Sequence, residues 1–124
     1  MAKTVLIVDD SASMRQMLGL TLRGAGYQVL EGGNGEEGME RLAAAPSGRV
    51  DLIITDVNMP VMDGLTFTRR LRSQGSARFT PILILTTENH EQRKAEGKAA
   101  GATGWIVKPF QPAQLLKVIE KVLS

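Results

Sequence analysis

Val5-Leu6-Ile7-Val8-Asp9-Asp10-Ser11 is an apolar run that stops on two adjacent carboxylates. Four consecutive aliphatic residues without polar alternation read as a strand covered on both faces, the habit of a parallel sheet rather than of a half-exposed antiparallel one. Four more such runs follow: Tyr27 to Leu30, Val50 to Ile54, Pro81 to Leu85 and Trp105 to Val107. The intervals between them carry helical spacing. Residues 13–25 align Met14, Met17, Leu18 and Leu22, with Ser11 or Ser13 as candidate N-cap and Gly24 or Gly26 near the stop. Residues 36–45 group Met39, Leu42 and Ala43 behind Glu36 and Glu37, and residues 64–73 group Leu65, Thr68 and Leu71 ahead of Arg69, Arg70 and Arg72. Acids early and cations late both suit the helix dipole. Residues 112–123 start at Pro112 and offer Leu115, Leu116, Ile119, Val122 and Leu123. The segment 89–100 has only alanines to bury, which predicts shallow packing.

Strand alternating with helix five times predicts an α/β fold with right-handed crossovers. Five units are too few for an eightfold barrel. The expected architecture is a doubly wound five-stranded parallel sheet of order 2-1-3-4-5, flavodoxin-like, with its ligand crevice beyond the C-terminal ends of strands one and three. All of residues 1–124 read as one domain, because a chain of 124 residues buries enough surface for one core and too little for two. The absence of cysteine excludes disulfides and thiolate metal sites. A net charge of +2 with interspersed signs gives no nucleic-acid footprint. The first apolar run is too short for a signal peptide, and no stretch is long enough to span a bilayer, so the expectation is a soluble, cytoplasmic protein without membrane insertion.

The predicted crevice can be checked against the residues that end each strand. Strand one ends in Asp9 and Asp10, strand three in Asp56, strand four in Thr86 and Thr87, and strand five in Lys108. Asp is common after strands as a turn or cap residue, but three aspartates at the one crevice that the topology selects point to a site. Like charges this close repel unless a cation is present. Oxygen ligands without cysteine favour Mg²⁺, with Mn²⁺ as the other option, and Mg²⁺ held by few carboxylates implies a phosphoryl ligand. Lys108 could pair with a carboxylate when the site is unloaded and with a phosphoryl oxygen when it is loaded, while Thr86 donates to another.

Val8-Asp9-Asp10-Ser11, Asp56-Val57-Asn58-Met59-Pro60 with Asp63-Gly64, Thr86, and Lys108-Pro109-Phe110 together resemble the motif set of the receiver domain of two-component response regulators. The resemblance spans nearly the whole chain, and Ser11-Ala12-Ser13-Met14-Arg15 and Gly101-Ala102 make it similar to the single-domain chemotaxis members of that family. It implies that Asp56 is the phosphoacceptor, forming an acyl phosphate, and that Asp10, Asp56 and the Asn58 carbonyl hold Mg²⁺, with Asp9 acting mainly through water. It implies that Thr86 and Lys108 contact the phosphoryl group, and that Thr86 and Trp105 form the switch. Trp105 stands where the family more often has Tyr or Phe. Asn58 and Glu88 match positions that tune the dephosphorylation rate. The implied partners are a CheA-like histidine kinase as donor and a downstream protein, such as a flagellar motor switch component, bound by the fourth helix, fifth strand and fifth helix of a monomer. A phosphorelay intermediate or phosphate sink is the alternative output. On this reading the chain is not an enzyme beyond its own phosphotransfer and dephosphorylation.

Other patterns carry less. Gly33-Asn34-Gly35-Glu36-Glu37-Gly38 matches a dinucleotide fingerprint formally, but it follows strand two and would set Glu36 and Glu37 against a pyrophosphate. Pro60 and a missing terminal Glu argue against a calcium loop over Asp56 to Gly64. His90 has no second ligand at metal spacing, and Arg93, Lys94 and Lys98 read as a solvated face, with a docking patch as the alternative. A Mg²⁺-dependent aspartyl-phosphate phosphohydrolase would place its nucleophile after strand one with a second Asp two positions on, whereas Asp9 and Asp10 are adjacent.

Overall fold

The structure, a computed structural model, describes residues 3–45, 49–73 and 77–124. Its elements alternate as β1 (Thr4–Val8), α1 (Ala12–Gly24), β2 (Gln28–Gly32), α2 (Gly35–Ala44), β3 (Leu52–Thr55), α3 (Gly64–Ser73), β4 (Ile82–Thr86), α4 (Glu91–Ala100), β5 (Gly104–Val107) and α5 (Pro112–Leu123). The strands form one parallel sheet of order β2-β1-β3-β4-β5. The chain moves one way from β1 to β2, then crosses back and proceeds the other way. With right-handed crossovers this puts α1 and α5 on one face and α2, α3 and α4 on the other. No helix among the described residues is long and apolar enough to cross a membrane.

The period of two along each strand divides the core between those faces. Val5, Ile7, Leu52, Ile54, Leu83 and Leu85 meet Leu18 and Leu22 of α1 and Leu115 and Ile119 of α5. Leu6, Val8, Ile53 and Ile82 meet Leu42 of α2 and Phe67 and Leu71 of α3. A smaller cluster of Val57, Leu65 and Ile84 lies towards α4 and is lined by Ala102 and Trp105. The interior strands β1, β3 and β4 are buried throughout apart from Thr4, whereas the edge strands β2 and β5 are mostly half-buried. That gradient is what a doubly covered sheet with two open edges requires.

Strand boundaries differ from the sequence reading by one or two residues. Tyr27 lies before β2, its N–H bonded to Leu22 O at the end of α1, and β2 runs on to Gly32. Val50 is buried but precedes β3, and α4 starts at Glu91 rather than Asn89. Two expected core positions point outward. Met17 is 53% exposed, because α1 buries the narrower stripe of Leu18, Gly19 and Leu22, and Ala43 is exposed one step round from Leu42.

Arg72, near the end of α3, is a half-buried cation without a carboxylate partner among the described residues. Its guanidinium instead donates to the carbonyls of Ala77, Arg78 and Thr80 before β4 and to Gly101 at the end of α4. Burial pulls its pKa below the ordinary arginine value. Gly101 takes a left-handed φ of 106°, which closes α4. The fixed end of α4 is therefore the end remote from the strand C-termini.

Candidate functional site

Asp9, Asp10 and Asp56 offer carboxylate oxygens that all lie within 4.8 Å of one another, at the C-terminal ends of β1 and β3 where the strand order reverses. Each is held differently. Asp9 is 1% exposed; its Oδ1 accepts the Ser11 N–H at 2.9 Å and its Oδ2 accepts Lys108 Nζ at 2.8 Å. The same turn lets Ser11 cap α1, accepting the Met14 N–H. Asp56 is 8% exposed; Oδ1 accepts the Val57 N–H at 2.7 Å and Oδ2 accepts Lys108 Nζ at 3.2 Å. Asp10 is exposed to solvent.

Lys108 thus bridges two buried carboxylates from the end of β5, its backbone N–H fixed on Thr86 O at 2.8 Å. Burial by itself pulls the ammonium's pKa down, but the hydrogen bond to Asp9 and the attraction of both aspartates outweigh it, and the net direction is up. Lys108 stays charged across the physiological range. The pit is an all-oxygen ligand set with an adjacent fixed cation, which fits a hard divalent ion such as Mg²⁺ and does not fit zinc.

The loop after Asp56 folds back onto it. Gly64 N–H bonds Val57 O at 2.9 Å, and a Cβ on Gly64 would fall 1.9 Å from Asp56 O, so only glycine allows α3 to start there.

Glu88 joins three of the residues singled out from sequence. Its side chain accepts Asn58 Nδ2 at 3.2 Å, its N–H points at Thr86 Oγ1 at 3.4 Å, and its carbonyl accepts Trp105 Nε1 at 3.0 Å. Thr86 is fully buried and directed towards this loop, and no bond joins it to Asp56 among the described residues. Trp105 is half-buried, its indole lying on α4 where a Cβ at Gly97 would meet it at 2.7 Å. Asn58 is exposed.

Sequence reasoning missed Arg15, whose Nη1 donates to Asp9 O at 2.6 Å while its Nε faces Glu31 at 3.5 Å. Its place on the first turns of α1, facing the end of β1, was the available signal. His90 is exposed, and Arg93 and Lys94 pair along α4 with Glu96 and Glu91. Asn34 of the glycine-rich turn caps α2, and Glu37 reaches back to the Gly33 N–H at 2.8 Å, a reciprocal cap rather than a phosphate cradle.

Residues 5–120 match the response regulator receiver domain. The chain is 40% identical over 121 residues to chemotaxis protein CheY1 of Helicobacter pylori, an alignment covering 97% of this chain and 96% of that one. The structure of chemotaxis protein CheY4 of Vibrio cholerae superposes with a TM-score of 0.92 at 51% identity, over 99% of this chain and 100% of that one. The receiver domain of a sensor histidine kinase from Pseudomonas aeruginosa PAO1, which has a magnesium ion coordinated in its active-site cleft, superposes with a TM-score of 0.88 at 27% identity, over 99% of this chain and 98% of that one.

Proposed function

The chain belongs to the response regulator receiver family, CheY-like in sequence and fold, and from that premise we propose that it is a phosphorylation-activated switch with Asp56 as phosphoacceptor. The observation that carries this is Lys108 Nζ within hydrogen-bonding distance of both Asp9 and Asp56 at the reversal point of the sheet. A carboxylate oxygen of Asp56 attacks the phosphorus of a phosphohistidine; a P–O bond forms, the P–N bond breaks, and the imidazole leaves. Such a transition state needs positioning and charge more than covalent help. Lys108 releases Asp56 Oδ2 and follows the transferred oxygens. Mg²⁺ held by Asp9, Asp10, Asp56 and the Asn58 carbonyl would offset the remaining negative charge.

Thr86 and Trp105 then serve as the switch. Turning the Thr86 hydroxyl towards the phosphoryl group withdraws it from the Glu88 N–H, and Glu88 also holds Trp105. The output surface is α4, β5 and α5, where a cavity of about 250 Å³ is lined by Lys94, Lys98 and Trp105. The likeness to CheY1 and CheY4 supports a histidine kinase of the chemotaxis type as donor and a motor component as target. The chemistry is a single transfer and hydrolysis on Asp56, tuned by Asn58 and Glu88, rather than turnover of a separate substrate.

Acetyl phosphate with Mg²⁺ should label the wild-type chain and leave Asp56→Asn unlabelled; full labelling of that variant overturns the assignment. Emission from Trp105, the sole tryptophan, should change on phosphorylation, and constant emission removes Trp105 from the switch.

A further inference from the structure

Val61 is the single described residue other than glycine with a left-handed backbone, at φ 70°. The N–H of Met62 donates to Pro60 O at 2.7 Å, so Val61 is the central residue of a γ-turn of the strained, positive-φ kind. A β-branched residue is among the least suited to this conformation. The turn itself has a structural purpose. It directs Met62 O to the Gly35 N–H at 3.3 Å and lays the Met62 side chain against Gly35, where a Cβ would meet Sδ at 2.8 Å. Glycine or asparagine would make the same turn with less strain. Packing does not explain the valine either, since Val61 is 74% exposed.

What the side chain does have is position. Val61 is three residues from Gly64, which abuts Asp56 O, so its Cα lies no more than about 11 Å from that contact. A protein that delivers a phosphoryl group must bring it to bonding distance of Asp56. An interface of ordinary size covers about 800 Å² per partner, a disc of about 16 Å radius. A protein donor centred on Asp56 therefore covers Val61, and a small phosphodonor does not. Met59 and Met62, both half-buried on either side, extend Val61 into an apolar rim beside the acidic pit. Methionine adapts readily to an incoming surface.

We propose that Val61 is a docking contact for the phosphohistidine-bearing protein, its side chain covered by an apolar residue next to the donor histidine. The inference rests on Asp56 being the phosphoacceptor, and it assigns Val61 a part in choosing the donor rather than in the chemistry.

The test compares two donors on the same full-length chain: acetyl phosphate, and an autophosphorylated chemotaxis-type histidine kinase that labels the wild type. Val61→Asn should raise the melting temperature, keep acetyl phosphate labelling within twofold, and slow transfer from the kinase at least fivefold. Val61→Ile, which keeps the branched apolar surface, should retain kinase transfer within twofold. Kinase transfer to Val61→Asn at the wild-type rate overturns the proposal, whatever the melting temperature does. A parallel loss with both donors also overturns it, since it would place the effect at Asp56. A wild-type chain that acetyl phosphate and Mg²⁺ leave unlabelled overturns the receiver reading instead.

Discussion

α3 and α4 are both ten residues long and pack side by side on one face of the sheet, yet they are held there by different means. α3 buries Leu65, Phe67, Thr68 and Leu71, and Thr68 also bonds back to Gly64 O. α4 buries only Gly97 and Ala100, and its N-cap residue, His90, makes no side-chain cap. Full burial of a Leu or Phe side chain contributes about 1.5–3 kcal/mol, and α4 has none. The difference follows where each helix sits. α3 begins at the glycine that abuts Asp56, whereas α4 follows the Glu88 junction and has no side-chain cap at that end. Local opening is easiest where few apolar contacts oppose it.

The comparison is most exposed to test at Phe67, which is fully buried and touches Gly38 of α2 across the core. Phe67→Ala should cost about 3–5 kcal/mol in urea unfolding, and a loss below about 1 kcal/mol would end the claim that α3 is the anchored helix. On α4 the counterpart is Gly97→Ala. Overpacking against the Trp105 indole costs about 1–3 kcal/mol, and helix propensity returns about 1 kcal/mol, so the net loss should stay below about 2 kcal/mol while Trp105 emission shifts. Unchanged emission would mean that the indole does not rest on Gly97. Hydrogen exchange reads the same contrast without mutation. Amides of α4 should exchange at least tenfold faster than those of α3, about 1.4 kcal/mol less opening free energy, and equal protection would remove the distinction. The smallest effect is at alkaline pH. Because the folded state raises the Lys108 pKa, its contribution to stability is whole below the ordinary lysine value of 10.5 and is lost as pH rises through the folded value. Stability should decline above about pH 10.5, and less so in Lys108→Met, which has already lost the ion pairs.

Most of the fold was legible because the interior strands β1, β3 and β4 are short, almost wholly aliphatic runs, and right-handed crossovers restrict the topology. The site was legible for a related reason: the residues that end β1, β3 and β5 are charged, and a parallel sheet brings those ends together. Boundaries were not, since ladder pairing rather than side-chain type separates Tyr27 and Val50 from their strands. Met17 and Ala43 looked apolar enough for the core, but the buried stripe on each helix is narrower than the apolar one. Phe67 was missed for the opposite reason: it stands at i,i+4 with Leu71, and the buried face of α3 is wider than the stripe of Leu65, Thr68 and Leu71. The triple junction at Glu88 depends on two backbone groups, which no residue name reveals, and the γ-turn at Val61 contradicts the preference of its own residue type.

The shared hold of Lys108 on Asp9 and Asp56 has a consequence for what a partner could sense. Three carboxylates and one ammonium leave the pit with two negative charges in excess, the amount one divalent cation cancels. On the proposed reading, acylation would remove the charge of Asp56 itself while adding about 1.5 to 2 on the phosphoryl oxygens, a local change of at most about one unit. That is a faint field to detect across the width of the sheet. The modification is better understood as a relocation of oxygens than as an addition of charge, and a reader that responds to it must measure shape.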